Sequence, residues 1–262
     1  MIKFFRKIRY DLMEKNKTGK YLKYAIGEIV LVVIGILIAL SINNWNENRK
    51  ERAIEINYLK NIKSDLNKEF NNNRKFAEFR LGKSKASSYL LNTDEPKSIE
   101  NAKTYIDNYE TVFLWNTFVP NNNTFKELIS SGRLSLISND SIKNQLLELD
   151  KIYADISINE NHMRREFEHY LYDIQINNTS GLDLFDNSKP YYGFPERLSI
   201  SDIPNLKREK MISDSQWLYK NEVFNNGLKL AILNNSLIAQ QHQNLELILK
   251  KLIDFIDREI EK

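Results

Sequence analysis

The chain has 262 residues, no cysteine, 28% charged residues and a formal net charge of +3. The lack of cysteine excludes disulfides, thiolate metal sites and cysteine nucleophiles, and eight glycines and five prolines are too few for a turn-rich all-β fold. Residues 1–24 hold eight basic and two acidic side chains, whereas the rest of the chain is net acidic. The basic charge is therefore local, and we expect a helical protein that binds no nucleic acid.

The first 23 residues form a basic segment with helical spacing. Phe5, Ile8 and Leu12 fall on one face of a helix, and lysines and arginines occupy the other faces. Such a helix suits the anionic cytoplasmic surface of a membrane. We predict a short amphipathic helix over residues 1–23, with a disordered basic tail as the alternative.

Residues 24–42, YAIGEIVLVVIGILIALSI, contain one charged residue. Nineteen helical residues span about 28 Å, close to the thickness of the hydrocarbon layer, so we predict a transmembrane helix in contact with membrane lipid. A buried core helix and a cleaved signal peptide are the alternatives, and the long basic segment before the span disfavours the signal peptide. The 23 residues before the span hold more basic residues than a stretch of similar length after it, which places the N-terminus in the cytoplasm and residues 43–262 in the periplasm of a bacterial inner membrane.

One face of the predicted span carries small and polar residues. Helical spacing places Glu28, Gly35, Ala39 and Asn43 on this face. Small residues four apart allow close approach of two helices, and a carboxylate in hydrocarbon is usually paired or protonated. We expect this stripe to bind a second copy or another membrane protein; the alternative is that Glu28 only reaches toward the lipid headgroups.

The segment from Tyr24 to Arg52, YAIGEIVLVVIGILIALSINNWNENRKER, resembles a domain-of-unknown-function family of uncharacterised inner-membrane proteins from Flavobacteria and other Bacteroidota. A second segment, TFKELISSGRLSLI at residues 124–137, is similar to the same family. The resemblance extends over the whole chain and is most specific in the first fifty residues. It implies a single-pass inner-membrane protein and supplies no catalytic residues.

Helical patterns continue beyond the span. Residues 46–81 predict a helix that ends at Leu81-Gly82, and residues 98–118 predict a second helix closed by Pro120. A short helix over residues 124–131 has Gly132 as its C-cap, and Asn139 lies in a segment suited to cap the next helix.

Two long heptad patterns follow. In each, apolar residues recur at alternating steps of four and three, as in helices that pack along a seam. The first consists of Ile142, Leu146, Leu149, Tyr153, Ile156, Glu160, Met163, Phe167, Tyr170 and Ile174, and the second of Phe224, Leu228, Ala231, Asn235, Ile238, His242, Leu245, Leu249, Leu252 and Ile256. We predict an all-α fold in which these helices form the antiparallel backbone of an elongated bundle of about four long helices outside the membrane.

Three polar residues interrupt the two seams: Glu160, Asn235 and His242. A polar seam residue often fixes helix register or the choice of partner. The same residues are also compatible with a small ligand pocket inside the bundle or with a frayed, exposed helix.

Residues 178–212 break the helical pattern and hold three of the five prolines together with the pair Tyr191-Tyr192. A long irregular segment in a compact domain is usually functional or mobile. We therefore treat this range, and the two tyrosines in particular, as a candidate binding excursion; a simple crossover between the long helices is the alternative.

The sequence does not indicate enzymatic chemistry. His162, Glu166 and His169 share one helix face but lack the second half of a metal site, and the common hydrolase and nucleotide-binding motifs are missing. We expect no cofactor, no metal and no catalytic activity. The sequence favours a membrane-anchored interaction, scaffold or sensory protein; the alternative is a subunit of an ion-driven or translocation complex that uses Glu28.

Overall fold

The computed structural model describes Arg6, Tyr10, residues 18–185 and residues 197–262. Over this part of the chain the secondary structure is helical without β-strands, and the predicted all-α class is confirmed. One isolated antiparallel bridge joins Phe185 to Arg197. The chain divides into two compact units, Met1–Tyr58 and Leu59–Lys262.

The first unit contains the beginning of helix α1, Thr18–Asn92. Every residue from Ile29 to Trp45 is exposed, and the most apolar 18-residue window of the helix has a mean hydropathy of 2.8 with none of it buried. Within the described residues, one helix is long and apolar enough to cross a membrane, and it lies near the N-terminus. Most of the predicted amphipathic helix over residues 1–23 lies outside the described residues.

In the second unit α1 continues to Asn92, so the predicted helix end at Leu81-Gly82 is wrong. A glycine inside a helix costs about 0.5–1 kcal/mol relative to alanine. On both sides of Gly82, however, α1 buries side chains in the bundle, among them Arg80, Lys83 and Leu90. This burial outweighs the local preference of glycine to end the helix.

Two shorter helices follow. Helix α2, Ile99–Phe113, is capped by the side chain of Ser98 and ends earlier than predicted, because the backbone becomes extended at Leu114. Helix α3, Asn123–Ser130, is followed by Gly132 with φ of +69°, which confirms the predicted left-handed C-cap.

Helix α4 is one long helix with a single π turn. It comprises Asp140–Phe167, the π turn Glu168–Tyr172 and Asp173–Asn178, and the side chain of Asn139 caps its beginning as predicted. The predicted seam is buried from Ile142 to Met163. The π turn adds one residue to the helical repeat, so that Leu171 is buried in place of the predicted Tyr170, which is exposed.

Helices α5, Asn205–Lys220, and α6, Glu222–Ile260, complete the chain. Helix α5 begins inside the range 178–212 that the sequence predicts as irregular; Pro204 directly precedes its first residue, where a helix needs no N–H donor.

Helices α4 and α6 are antiparallel, as predicted. Asn139 at the beginning of α4 donates to Glu259 at the end of α6 with an Nδ2–Oε2 distance of 2.7 Å, and Glu166 accepts from Asn234 further along the pair.

An apolar cluster occupies one part of the bundle and joins residues of all helices except α3. Its buried members are Ala86, Leu90, Tyr105, Ile106, Tyr109, Val112, Leu171, Leu182, Leu184, Ile203, Met211, Leu218, Phe224 and Leu228.

Candidate functional site

The inner face of α1 follows a heptad pattern whose middle is polar. The seam positions recur at alternating steps of three and four: Leu59, Ile62, Leu66, Glu69, Asn73, Phe76, Arg80, Lys83, Ser87 and Leu90. Phe76 is half-buried and the others are buried. The sequence prediction missed the polar members because it followed apolar residues alone; the unbroken spacing was the signal that could have found them.

Arg80 and Glu160 form an ion pair in the bundle interior, with side chains 0% and 1% exposed. The distance from Arg80 Nη2 to Glu160 Oε1 is 2.6 Å. Arg80 also donates to the carbonyl of Asn116 at 2.9 Å and to Oδ1 of Asn235 at 3.4 Å. Two of the predicted polar seam residues, Glu160 and Asn235, therefore meet at one arginine, which connects α1, α4 and α6.

Lys83 lies one helical turn beyond Arg80 and is buried among aromatic rings. Its Nζ donates to the carbonyl of Leu114 at 2.5 Å and lies 4.9 Å from the ring centroid of Phe167 and 5.0 Å from that of Trp115, distances at which a cation is attracted to a ring face. Burial, reinforced by the positive charge of Arg80, lowers the pKa of Lys83 to about 7. A bundle interior that already holds the Arg80 charge thus disfavours a second cation.

His242, the third predicted seam residue, pairs with Asn73 of α1. The His242 Nδ1 and Asn73 Oδ1 atoms are 2.7 Å apart, and Asn73 Nδ2 donates to the His242 carbonyl at 2.7 Å. The imidazole packs edge to face against Phe118, with ring centroids 4.8 Å apart. Burial, with a smaller effect of Arg80, lowers the pKa of His242 to about 4, so the ring is neutral at pH 7.

These polar side chains hold an extended segment, residues 114–122, against the bundle. Residues 115–121 make no helix or sheet hydrogen bonds with their backbone, and buried side chains supply hydrogen bonds to the segment instead. The carbonyls of Leu114 and Asn116 accept from Lys83 and Arg80, and the N–H of Phe118 donates to Glu160 Oε2 at 2.9 Å. The buried charges therefore satisfy backbone groups that helix or sheet bonds leave open.

Two carboxylates of α1 bind the far end of the same segment and the beginning of α3. Glu69 Oε2 accepts from the N–H of Asn121 at 2.7 Å, and burial raises the pKa of Glu69. Asp65 Oδ2 accepts from the N–H and the hydroxyl of Thr124 at 3.0 and 2.7 Å. Because Asp65 acts near the N-terminus of α3, it serves as a capping group from a distant part of the chain.

The lengths of the two elements explain this pairing. From Lys83 to Asp65, α1 covers about 27 Å, and the ten residue steps from Leu114 to Thr124 cover at most about 33 Å. The contacts run in opposite directions along the two elements, since Lys83 bonds residue 114 and Asp65 bonds residue 124. The extended segment and the first residues of α3 therefore run antiparallel to α1 along this length.

A small cavity lies beside Lys83, between α1, α4 and α6. Its volume is about 20 Å³, and its lining includes Trp115, Glu166, Phe167 and Asn234. A cavity of this size holds one water molecule and is far smaller than ordinary ligand pockets. The geometry favours a role of these charges in holding the segment over a role in binding a substrate.

The π turn of α4 packs against Gly227 of α6. A Cβ atom at Gly227 would lie 2.9 Å from Leu171 Cδ2, from Tyr170 Cβ and from the Tyr170 carbonyl oxygen. Only a residue without a side chain fits there. Gly227 therefore allows the two helices to approach closely at the π turn.

The predicted association residues of the span all lie on α1. Gly35, Ala39 and Asn43 are exposed and Glu28 is half-buried. A Cβ atom built at Gly35 meets nothing within 4 Å. In a single chain this face is accessible to another helix, and its role in association stays a prediction.

The other predicted sites lie apart from the bundle interior. Tyr191 and Tyr192 lie outside the described residues. His162 and His169 are exposed and each lies 3.4 Å from a carboxylate of its own helix, Glu166 and Asp173 respectively. Among residues 18–185 and 197–262, no three histidine or acidic side chains are arranged to hold a metal ion.

No curated protein and no solved structure matches the chain. A family of unknown function, DUF6090, matches residues 28–188. The match includes Glu28, the polar seam residues of α1 from Glu69 to Ser87 and the extended segment, and it covers more than half of the chain. The protein therefore belongs to the DUF6090 family.

Proposed function

We propose that this protein is a single-pass inner-membrane protein whose periplasmic helical bundle serves as an interaction, scaffold or sensory module. The observation that carries the proposal is the exposed apolar surface of α1 from residue 22 to residue 42, with a mean hydropathy of 2.8 over its most apolar window. In water this surface is costly because the hydration of apolar side chains raises the free energy. In a bilayer the same surface contacts the hydrocarbon chains of the lipids, and its length is close to the thickness of the hydrocarbon layer.

The charge distribution supports one orientation. The eight basic residues within positions 1–24 favour a cytoplasmic N-terminus by the positive-inside rule. The bundle then faces the periplasm of a bacterium.

An interaction role is supported by the way in which the bundle presents its extended segment. Leu114 and Val119 are 60% and 72% exposed, while the buried side chains of Arg80 and Lys83 bond the backbone of the same segment. A surface segment held by buried charges keeps its shape before binding, which lowers the entropy cost of association.

Fractionation of cells that express the full chain tests the anchor. We expect the protein in the membrane fraction after carbonate washing, and we expect a chain that begins at residue 43 in the soluble fraction. Release of the full chain by carbonate would contradict the proposal.

Orientation is tested by single cysteines, since the chain has none of its own. An impermeant maleimide applied to spheroplasts should label Glu78→Cys and leave Lys23→Cys unlabelled until lysis. The reverse pattern would place the bundle in the cytoplasm.

A role in an ion-driven or translocation complex is the second candidate, favoured by the position of Glu28 in an otherwise apolar span. Glu28→Gln removes the titratable group and keeps the size and polarity of the side chain. Loss of cellular function at unchanged abundance would support proton handling, and full function would remove this candidate.

A further inference from the structure

Helix α6 carries a second heptad stripe on its outer side. The stripe begins at the half-buried Leu230 and continues through the exposed residues Leu233, Leu237, Gln240, Asn244 and Leu247, at alternating steps of three and four. Leu233, Leu237 and Leu247 are 56%, 51% and 70% exposed. Single exposed leucines are ordinary, whereas leucines at heptad spacing on an exposed face are typical of a helix–helix seam.

All of the stripe except Leu247 lies in a part of α6 that has no charged side chain. Residues 230–245, LAILNNSLIAQQHQNL, contain no lysine, arginine, aspartate or glutamate, although 28% of the whole chain is charged. His242 is the one titratable residue in this range, and it points into the bundle, where it is fully buried. The outer surface of this part of α6 consists of leucine, serine and amide side chains.

A groove runs beside the stripe, between α4 and α6. Its volume is about 410 Å³, and its lining includes Asn159 and His162 of α4 and Leu237, Gln240 and Asn244 of α6. A side chain from a neighbouring helix can therefore enter the space between α4 and α6 beside the stripe.

We propose that two copies of this chain pair through the α6 stripe as a parallel, in-register two-helix seam. Two-fold pairing brings each residue of the stripe near its own copy, so a charged face would repel itself. Leucine and amide side chains are compatible with themselves, since an amide both donates and accepts hydrogen bonds. If Leu233 and Leu247 take d positions, Asn244 takes an a position, where asparagine fixes the register of parallel pairs.

The inference rests on the proposed function, because the stripe alone is short. A stable dimer in solution buries more than about 1,000 Å², and three half-exposed leucines per copy supply only part of that area. Anchoring both copies in one membrane raises their effective concentration. We therefore expect pairing in membranes and weak pairing in dilute solution.

Disulfide crosslinking of the full chain in native membranes tests the pairing. Cysteines bond when their Cα atoms lie within about 7 Å, so Leu237→Cys should give a dimer of twice the monomer mass on oxidation. Gln243→Cys is the matched control: it is exposed on the same helix and lies about 120° around the helix from residue 237. We expect at least tenfold more dimer from Leu237→Cys than from Gln243→Cys.

A second variant separates pairing from random collision. In Leu233→Cys/Leu237→Glu the two glutamates face each other across the seam, and we expect the dimer yield to fall at least tenfold below that of Leu233→Cys. Circular dichroism should show unchanged helix content, because Leu237 is half-exposed.

The outcomes distinguish this inference from the membrane proposal. A Leu237→Cys chain that stays in carbonate-washed membranes but crosslinks no better than Gln243→Cys overturns the α6 pairing and leaves the anchor intact. A crosslinked product of another mass also overturns self-pairing, because a different protein then covers the stripe. A chain absent from membranes overturns the proposed function, and the pairing then stands only if the soluble chain gives the same residue-237 dimer at high concentration.

Discussion

Arg80 and Glu160 show how one buried pair connects distant parts of the chain. They lie 80 residues apart in sequence, and their remaining bonds go to Asn116, Phe118 and Asn235. Removing one partner leaves a buried charge and open backbone groups, which is costly in a protein interior.

Arg80→Met should lower the free energy of unfolding by about 3–5 kcal/mol, measured by urea denaturation of the full chain in detergent micelles. The matched control is Arg74→Met. Arg74 pairs with Glu78 on the exposed face of the same helix, where ion pairs contribute about 0–1 kcal/mol. The double variant Arg80→Met/Glu160→Met should cost less than the sum of the two single variants, since the two residues interact directly. Equal effects of Arg80→Met and Arg74→Met would contradict the structural role of the pair.

The buried Lys83 side chain should make the free energy of unfolding depend on pH. Its pKa is about 7 in the folded bundle and 10.5 in the absence of burial, so the unfolded chain binds more protons between these values. Stability should therefore rise with pH from about 7 to 10, with a slope of up to about 1.4 kcal/mol per pH unit from this group. Above pH 10 the raised pKa values of Tyr105 and Tyr109 act in the opposite direction.

Unfolding curves between pH 7 and pH 10 measure this slope. Lys83→Met should abolish most of it, whereas Lys85→Met, at an exposed position on the same helix, should retain it. The slopes, and not the absolute stabilities, are compared, because Lys83→Met also leaves the Leu114 carbonyl without its donor. Identical slopes in the wild type and in Lys83→Met would contradict the charge penalty at Lys83.

The buried His242 side chain should lower the free energy of unfolding as the pH decreases. Its pKa is about 4 in the fold and 6.5 without burial, so the unfolded chain takes up the proton first and stability falls as the pH decreases from 6.5 to 4. Glu69 acts in the opposite direction, because burial raises its pKa in the fold. Comparison of His242→Gln with the wild type by thermal unfolding at pH 4.5 and 7 isolates the histidine: the difference in Tm between the two pH values should be smaller in the variant.

At the scale of helices, substitution by alanine should have opposite effects on stability at two glycines that each lie inside a helix, Gly227 and Gly82. Gly227→Ala places a methyl group 2.9 Å from the Tyr170 backbone oxygen at the π turn, and overpacking of this kind costs about 1–3 kcal/mol. Gly82→Ala meets nothing within 4 Å and should stabilise α1 by about 0.5–1 kcal/mol, because alanine favours a helix interior.

Thermal unfolding of the two variants gives the measurement. We expect Tm to fall for Gly227→Ala and to rise for Gly82→Ala. A rise for both would mean that α4 and α6 can separate at the π turn without loss of packing.

The helices differ in how far sequence predicts them. Apolar heptads identify α4 and α6 because burial of one face stabilises the whole helix. The π turn Glu168–Tyr172 cannot be predicted from the pattern of apolar residues, because Tyr170 and Leu171 are both suited to a seam position. The α1 heptad from Glu69 to Ser87 was equally regular but polar, and its burial depends on partners elsewhere in the chain.

At the scale of the whole molecule, the unit Leu59–Lys262 holds the buried core residues from Leu59 to Ile256. A core of this size should fold without the span. Residues 59–262 expressed alone should be soluble and helical by circular dichroism, with one cooperative urea transition. Aggregation, or a gradual transition without cooperativity, would show that the bundle depends on the first unit.

The sequence by itself determined the all-α class, an apolar segment long enough to cross a membrane, and the two long seams, because these follow from local composition and from periodicity along a single helix. It also placed Glu160, Asn235 and His242 in those seams. Only the tertiary structure decided that Arg80 joins Glu160 and Asn235, that Asn73 pairs with His242, and that Lys83 and Glu69 bind an extended segment. A buried charge is stable only when a partner meets it, and the choice of partner is made where separate parts of the chain pack together.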